Sequence, residues 1–191
     1  MLTTKKQIRK IYLQARNNLP KDYISNSTKE INKKLAETLL QHATKNSVIG
    51  LYMAIGTEIN LNDTIIKLKA CSVSSLPWID YKKKMMHFKL WHYNDHLEKS
   101  NNFYCLQPKE NSKTVTPSII VIPLITCDLE GNRIGYGKGY YDKYIAQNYQ
   151  TRPLIIGICY DKNIYPGNIP HEPHDCKIDI IISEKQVLQR T

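Results

Sequence analysis

Apolar residues recur at two spacings along this chain of 191 residues, and each spacing predicts one kind of secondary structure. Apolar positions three or four residues apart among polar ones predict helices, whereas short unbroken apolar runs predict buried strands. Helices are predicted over residues 3–17, from a cap at Asp22 or Ser25 to about Leu40, over 61–69 and over 140–149. Strands are predicted over 48–52, within 71–79 with an end near Pro77, and over 85–91, 118–123, 154–159 and 178–182.

The order of these segments predicts the fold class. Apolar strands separated by helical segments are typical of an α/β fold with a mostly parallel sheet, flanked by helices on both faces in a three-layer α/β/α sandwich. The segment at 85–91 could form a hairpin with its neighbour, whereas residues 94–117 are polar and irregular. The length favours one domain over residues 1–191, large enough to bury about 70% of the surface that the unfolded chain would expose.

Composition narrows the classes of function. No apolar run approaches the roughly 20 residues that span a bilayer, and the N-terminus lacks the apolar core of a signal peptide, so we expect a cytoplasmic protein without a membrane partner. The five cysteines form no Cys-x-x-Cys pair, which favours reduced thiols over a zinc ribbon. The net charge of +10 suits nucleic acid or polyanionic substrates. Because the lysines are spread along the chain, we favour the second.

The segment from Gly131 to Asp142 carries the strongest chemical signal. Four of the eight glycines lie between residues 131 and 139, and glycine lets the backbone approach a ligand closely. Such a loop can direct successive backbone N–H groups at an anion, while Arg133 and Lys138 add positive charge. Asp142 adds a carboxylate where a magnesium ion beside a phosphate would lie. The alternative interpretation is a flexible surface turn with chance charges.

Two common phosphate-binding motifs do not fit this segment. A Walker A loop needs a Ser or Thr directly after its lysine to bind magnesium, whereas Gly139 follows Lys138 here. A Rossmann fingerprint has the pattern G-x-G-x-x-G directly after the first strand, whereas these glycines alternate with other residues and lie late in the chain. A P-loop kinase and a dinucleotide oxidoreductase are therefore disfavoured.

The whole segment from Gly131 to Asp142 resembles the nucleotide-binding loop of the 5-formyltetrahydrofolate cyclo-ligase family. Three other segments fit that family in the same order along the chain: Lys5-x-x-x-Arg9 in the first helix, Tyr52 to Ile59 after the first strand, and Pro170 to Asp179 near the end. The resemblance therefore spans nearly the whole chain.

The resemblance implies an enzyme that cyclises 5-formyltetrahydrofolate to 5,10-methenyltetrahydrofolate, with ATP as co-substrate and Mg²⁺ as cofactor. The formyl oxygen would take the γ-phosphoryl group, N10 of the folate would attack the activated carbon, and ADP and phosphate would leave. Catalysis would consist mainly of positioning and charge neutralisation. We expect a monomer whose partners are ATP and the folate, polyglutamylated or not, without nucleic acid.

The resemblance also implies roles for individual residues. Lys138 would stabilise the transferring phosphoryl group, with Arg133 as a second catalytic contact, and Glu58 would accept hydrogen bonds from the pterin ring. The nucleotide contacts would be Lys5, Arg9, Arg133, Ile134, Gly135, Tyr136, Gly137, Lys138, Gly139, Tyr140 and Tyr141. The folate contacts would be Met53, Glu58, Phe103 and Tyr140, and the magnesium ligands would be Asp142 and Asp175.

For several of these residues a structural interpretation stays open. Lys5 and Arg9 could form a solvated helix face, and Arg133 could form an ordinary ion pair. The remaining structural alternatives are a loop cap for Asp175, a charge at a helix N-terminus for Glu58, a core position for Met53 and a helix anchor for Tyr140 and Tyr141.

Competing functions predict different features. Another ATP-dependent ligase with a different acyl substrate would not depend on Glu58 for substrate binding. A basic RNA-binding module would interleave aromatic and basic residues on one exposed sheet, whereas these strands are apolar runs. Zinc is disfavoured because Pro173 separates the two histidines of a four-donor cluster, and four donors so close in sequence rarely complete a tetrahedral site. That cluster is His171, His174, Asp175 and Cys176.

Overall fold

In the residues that the computed structural model describes, 4–69, 72–100, 105–172 and 175–190, the chain forms four α-helices and twelve β-strands. The helices are α1 (Lys5–Asn17), α2 (Lys21–His42), α3 (Asn62–Leu68) and α4 (Tyr140–Gln147), with 3₁₀ turns at Tyr149–Thr151 and Asp161–Asn163. None of the helices in these ranges is long and apolar enough to span a bilayer. The strands are β1 (Val48–Gly50), β2 (Val73–Asp80), β3 (Met85–Leu90), β4 (Glu98–Lys99), β5 (Leu106–Gln107), β6 (Thr114–Val115), β7 (Ile119–Pro123), β8 (Thr126–Cys127), β9 (Arg133–Ile134), β10 (Leu154–Ile158), β11 (Ile180–Ile182) and β12 (Val187–Gln189).

Eight strands of the described chain form one mixed sheet in the order β12-β11-β10-β7-β1-β2-β3-β6. The five central strands, from β11 to β2, are parallel, and β12, β3 and β6 add antiparallel edges. Strands at the centre of a parallel sheet are covered on both faces and are apolar throughout, as the Ile and Val run of β7 is. The predicted α/β fold with a mostly parallel sheet is confirmed.

Alternate side chains of β7 enter two separate hydrophobic clusters, one on each face of the sheet. Ile119 and Val121 pack into the cluster that contains residues of α2 and α3. Ile120 and Ile122 pack into the cluster that contains residues of α4. Since side chains of a strand point alternately to opposite faces, helices cover both faces of the sheet, as the predicted three-layer arrangement requires.

Helix α1 lies at the carboxyl-terminal edge of the parallel strands. Asn163, in the 3₁₀ turn after β10, donates from its side-chain amide to the backbone oxygen of Tyr12 in α1 at 3.0 Å. The same amide donates to the backbone oxygen of Ile125, just after β7, also at 3.0 Å. The N-terminus of α1 is capped by Thr4, whose hydroxyl accepts the backbone N–H of Gln7. The helix is therefore fixed at the edge where ligands of parallel sheets bind.

Strand β2 differs from its prediction because it continues three residues past Pro77, to Asp80. The partner strand β1 pairs only with residues 73–75 of β2. Beyond residue 75, the edge of β2 that faces β1 makes no hydrogen bonds to β1, so the missing N–H of Pro77 interrupts none. Proline is tolerated at such an edge. The antiparallel pairing with β3 continues to Asp80, which confirms the predicted hairpin.

Other differences concern helix ends and very short strands. Helix α2 begins at Lys21 with Pro20 at its cap, rather than Asp22 or Ser25, because a helix start does not need the N–H that proline lacks. Residues 94–117, predicted as irregular, contain the two-residue strands β4, β5 and β6. The sequence pattern does not predict β8, β9 or β12 either, since these strands lack the longer apolar run that predicts β1 and β11.

Candidate active site

A cavity with a volume of about 510 Å³ lies at the carboxyl-terminal edge of the parallel strands. Its wall comes from α1, from the segments after β1 and β7, from the β2–β3 hairpin, and from the glycine loop, defined here as residues 131–139. Every predicted site residue in the described ranges lines this cavity, while Phe103 lies outside them. These lining residues are Lys5, Arg9, Met53, Glu58, Arg133, Ile134, Gly135, Tyr136, Gly137, Lys138, Gly139, Tyr140, Tyr141, Asp142 and Asp175.

The glycine loop begins in the β8–β9 hairpin, whose turn is fixed by Asp128. This side chain is 1% exposed, and its carboxylate accepts hydrogen bonds from the backbone N–H and the side-chain amide of Asn132 and from the backbone N–H of Ile169, each at 2.8 Å. A carboxylate with several N–H donors makes strong, directional contacts, so Asp128 sets the direction in which the chain enters the loop. The sequence pattern does not reveal this role, because it depends on a distant segment.

Three glycines of the loop adopt backbone conformations that other residues rarely adopt. Gly131, Gly137 and Gly139 have φ of +77°, +85° and +68°, in the left-handed region that glycine reaches at little cost. Gly139 is also the cap residue of α4. A Cβ on Gly137 would lie 3.0 Å from the guanidinium carbon of Arg9. These positions therefore give the loop its shape and leave room for Arg9.

Helix α1 contributes two cations to the cavity wall. Lys5 and Arg9 lie one turn apart on the same face of the helix, and both side chains are partly buried. The Lys5 ammonium forms an ion pair with Asp175, and Nε of Arg9 donates to the backbone oxygen of Gly135 at 2.7 Å. The helix is therefore tied both to the glycine loop and to the segment near the C-terminus.

Both carboxylates predicted as magnesium ligands are held by neighbouring groups. Asp142 accepts a hydrogen bond from Nη2 of Arg133 at 2.6 Å and one from the backbone N–H of Cys176 at 3.2 Å. Asp175, already paired with the lysine of α1, accepts the backbone N–H of Glu172 at 2.7 Å. Within the described ranges, no cluster of three or more His, Cys, Asp or Glu side chains could hold a metal ion. Two carboxylates alone do not complete the octahedral coordination that Mg²⁺ prefers.

Another part of the cavity wall is apolar and contains one buried carboxylate. Glu58 is 9% exposed, and Oε2 accepts the backbone N–H of Ile55 at 2.8 Å. Burial raises the pKa of Glu58 to about 7, while the Ile55 hydrogen bond and the charge of Arg16 act in the opposite direction. Apolar residues of the same cavity wall come from the β2–β3 hairpin and β7, namely Pro77, Ile79, Met86 and Ile122.

Three tyrosines of the cavity wall keep their protons at neutral pH. Burial raises the pKa of Tyr52, Tyr136 and Tyr141, so their hydroxyls add no negative charge to the cavity wall. The Tyr52 hydroxyl donates to the backbone oxygen of Ile59 at 2.8 Å. These tyrosines therefore leave the charge of the cavity wall to its Lys, Arg, Asp and Glu side chains.

Arg16 is a further charged residue of this region whose role was not predicted from the sequence. It is buried at the C-terminal end of α1 and contacts the glycine loop and the segment before Glu58. A signal for it exists in the sequence, because Arg16 follows Arg9 by seven residues and therefore lies on the helix face that carries Lys5 and Arg9.

Comparison with known proteins assigns the chain to a family. A sequence model described as the 5-formyltetrahydrofolate cyclo-ligase family matches residues 2–184. The chain belongs to this family. The resemblance found in the glycine loop and its three accompanying segments is confirmed, and this member of the cyclo-ligase family is a ligase.

Individual relatives agree with the assignment. The 5-formyltetrahydrofolate cyclo-ligase of Mycoplasma genitalium is 26% identical over 193 residues, which cover 95% of this chain and 98% of that protein. The mouse enzyme is 36% identical over 69 residues, which cover only 35% of this chain and 34% of the mouse protein. A solved 5,10-methenyltetrahydrofolate synthetase from Mycoplasma pneumoniae has a TM-score of 0.76 and 25% identity, with 95% of this chain and 99% of that chain covered. The synthetase of Aquifex aeolicus shares the fold, with a TM-score of 0.76 at 24% identity over 97% of this chain and 92% of that chain.

The raised pKa of Glu58 predicts a pH-dependent gain of stability in the variant E58Q. The pKa is about 7 in the folded protein and 4.5 in the reference state. The folded state therefore binds more protons than the unfolded state between these values, and the contribution of Glu58 to stability falls as the pH rises through this window. Glutamine resembles the protonated carboxyl group and can still accept the Ile55 N–H. E58Q should increase the free energy of unfolding by roughly 1–3 kcal/mol near pH 8 and by much less near pH 5.

Urea unfolding of both proteins at the two pH values measures this difference. The matched control is E37Q, the same chemical change on the exposed face of α2, which should shift stability by less than about 0.5 kcal/mol at either pH. An equal effect of E58Q at both pH values would show that Glu58 is not buried as described.

Proposed function

We propose that this member of the cyclo-ligase family catalyses the ATP-dependent cyclisation of 5-formyltetrahydrofolate to 5,10-methenyltetrahydrofolate through phosphorylation of the formyl oxygen. The observation that carries the proposal is that a cationic glycine loop and an apolar pocket with a buried carboxylate line one cavity. A polyphosphate and an aromatic ring system can therefore meet within it. Its volume, about 510 Å³, lies in the range of small-molecule sites.

The glycine loop suits the phosphates of ATP. Its left-handed glycines let backbone N–H groups converge on an anion, and α4 begins directly after Gly139 with the positive end of its dipole. Lys5 and Arg9 approach from α1, and Lys138 approaches from the loop itself. The nucleotide would therefore lie between α1 and the loop, with residues 133–141 as its further contacts.

The apolar pocket suits the pterin ring. Its hydrophobic walls would contact the faces of the ring, with Met53 and Tyr140 completing the wall. The ionised carboxylate of Glu58 would accept hydrogen bonds from the amide and amino N–H groups at the ring edge. A buried carboxylate without enough donors is costly, and a ligand that supplies two N–H donors offsets this cost. This requirement favours a folate over an acyl substrate that lacks such an edge.

In the proposed reaction, the formyl oxygen attacks the γ-phosphorus of ATP. The bond between that phosphorus and the β–γ bridging oxygen breaks, and ADP leaves. The intermediate is a phosphorylated imidate-like species in which the former formyl oxygen belongs to a good leaving group. N10 then attacks the formyl carbon and loses its proton, and the bond from that carbon to the phosphate oxygen breaks. Inorganic phosphate leaves, and the carbon bridges N5 and N10.

Lys138 and Arg133 are the residues we assign to stabilisation of the moving phosphoryl group. Lys138 lies in the loop on the cavity wall, next to Gly137 and Gly139. Arg133 is fixed by its ion pair with Asp142 and by donation to the backbone oxygen of Cys176. A cation held in place before the reaction stabilises developing negative charge without having to reorganise.

Asp142 and Asp175 would hold Mg²⁺ together with phosphate oxygens of ATP. Both carboxylates line the cavity, and oxygen ligands of this kind are those that Mg²⁺ prefers. Mg²⁺ is commonly bound by one or two carboxylates together with substrate phosphates and waters, so the nucleotide and water would supply its remaining ligands. When bound, the ion neutralises charge on the phosphate groups.

An absorbance assay for methenyltetrahydrofolate tests the proposed function. Purified protein with 5-formyltetrahydrofolate, ATP and Mg²⁺ should form the methenyl product and release ADP, and omission of ATP or Mg²⁺ should abolish the product. Absence of product with all components present would contradict the proposal. ATP turnover with a different acyl substrate, and none with 5-formyltetrahydrofolate, would instead favour another phosphoryl-activating ligase.

Lys138→Ala should remove most turnover while leaving the fold intact. The side chain is exposed at the cavity wall, so its loss should change thermal stability little. Loss of one preorganised group that stabilises transition-state charge lowers kcat by about 10²–10³-fold. The control is K143A, which removes an exposed lysine of α4 outside the cavity wall and should keep the wild-type rate. Equal rates for K138A and K143A would remove Lys138 from the mechanism.

A further inference from the structure

On the face of helix α1 that carries Lys5 and Arg9 lies a third cation, Arg16, that the reaction outlined above does not use. Its side chain is 2% exposed and donates three hydrogen bonds. Nε donates to the Thr57 hydroxyl at 3.1 Å, Nη1 to the backbone oxygen of Leu124 at 3.2 Å, and Nη2 to the Tyr136 hydroxyl at 2.6 Å. These acceptors belong to three segments around the cavity: the turn before Glu58, the end of β7 and the glycine loop.

The position of Arg16 is unfavourable for a residue that only fills space. Its three acceptors are neutral, and burying a charge costs free energy unless an opposite charge compensates it. An apolar side chain of similar size would fill the space at lower cost. Glu58 is the acidic group that Arg16 influences, since the charge of Arg16 lowers its pKa. Both side chains line a second cavity of about 10 Å³, which is room for one water molecule.

We propose that Arg16 is a positioning residue that aligns the nucleotide part of the cavity with the folate part. It fixes Tyr136 of the glycine loop relative to Thr57, the residue next to Glu58, and it fixes both relative to the end of β7. This inference rests on the proposed function, because phosphoryl transfer from ATP to the formyl oxygen needs the two substrates in one geometry. A displacement of about 1 Å between reacting groups can lower a rate about a hundredfold.

Arg16 has a second effect, on the charge of Glu58. The groups that face Glu58 come from four elements: Arg16 from α1, Tyr52 from the segment after β1, Tyr136 from the glycine loop and Tyr141 from α4. The tyrosines are neutral at pH 7, so Arg16 is the cation of this group. Removal of its charge raises the pKa of Glu58 further. As the pH falls, Glu58 then becomes protonated at a higher pH than in the wild type. The ionised form that binds the pterin N–H groups is lost at that higher pH.

Two substitutions separate the position of Arg16 from its charge. R16K keeps a positive charge, but a single ammonium cannot reproduce the fork of three hydrogen bonds. We expect R16K to lower kcat about tenfold or more, with an unchanged pH dependence of the folate Kd. R16Q also removes the charge, so we expect a similar loss of kcat. As the pH falls, the folate Kd of R16Q should begin to increase at a higher pH than that of the wild type. Steady-state kinetics and calorimetric titrations with 5-formyltetrahydrofolate from about pH 6 to pH 9 measure both effects.

The control R152Q makes the same chemical change outside the cavity wall, where the exposed Arg152 pairs with Asp179.

Y136F and T57V each remove one acceptor of Arg16 and leave the buried guanidinium in place, so they carry the test if R16Q does not fold. Each should lower kcat. The double variant R16K/Y136F should lose less than the product of the two single losses, because both changes remove the same hydrogen bond.

The outcomes separate this inference from the proposed function. If the wild type forms product, but R16K, R16Q and Y136F all match R152Q in kcat and in the pH dependence of folate binding, the positioning role is wrong and the proposed function stands. If the wild type forms no product, the proposed function is wrong and the positioning role is wrong with it. Lowered kcat in all three variants, with a shifted pH dependence in R16Q alone, supports the positioning role.

Discussion

The cations on one face of helix α1 make the contacts on which the cavity depends. Lys5, Arg9 and Arg16 are separated by four and seven residues, so they follow one stripe along the helix. Lys5 contacts the segment near the C-terminus, Arg9 contacts the glycine loop, and Arg16 contacts both that loop and the turn before Glu58. The parallel sheet supplies the rear wall, and these contacts bring the remaining walls to it.

This arrangement has a cost in stability that the proposed substrates would offset. Arg16 is buried among neutral acceptors, and burial raises the pKa of Glu58 into the neutral range. Both features are unfavourable for the folded protein without ligand. Pterin N–H groups would stabilise the ionised form of Glu58, and ATP would bring negative charge to the cations near the loop. Sites that bind charged ligands commonly lose stability in this way.

Much of the fold and of the candidate site could be predicted, because both rest on local patterns. The β-branched run of β7 and the helical spacing in α2 predict the central sheet and its cover. The glycines, cations and carboxylate of residues 131–142 lie within one short segment, so their chemistry is visible without a structure. The assignment of Lys5 and Glu58 to the same site came from the family resemblance, since nothing local connects them.

What could not be predicted depends on contacts between distant segments. Asp128 gains its role from Ile169, and Arg16 gains its role from Thr57 and Tyr136. An arginine in a basic helix resembles its solvated neighbours until tertiary packing buries it. Strand β12 is equally hidden, because its three residues acquire strand structure only by pairing with β11. Similarly, Pro77 predicts the end of a strand until the pairing of β1 shows that its missing N–H interrupts nothing.

The fate of the formyl oxygen tests the central claim most directly. The substrate would be 5-formyltetrahydrofolate labelled with ¹⁸O in the formyl group, incubated with the protein, ATP and Mg²⁺ until the methenyl product has formed. Mass spectrometry of the released inorganic phosphate then locates the label. If the formyl oxygen takes the γ-phosphoryl group within this cavity, each phosphate released should carry one ¹⁸O atom. Unlabelled phosphate at full product formation would contradict phosphorylation of the formyl oxygen.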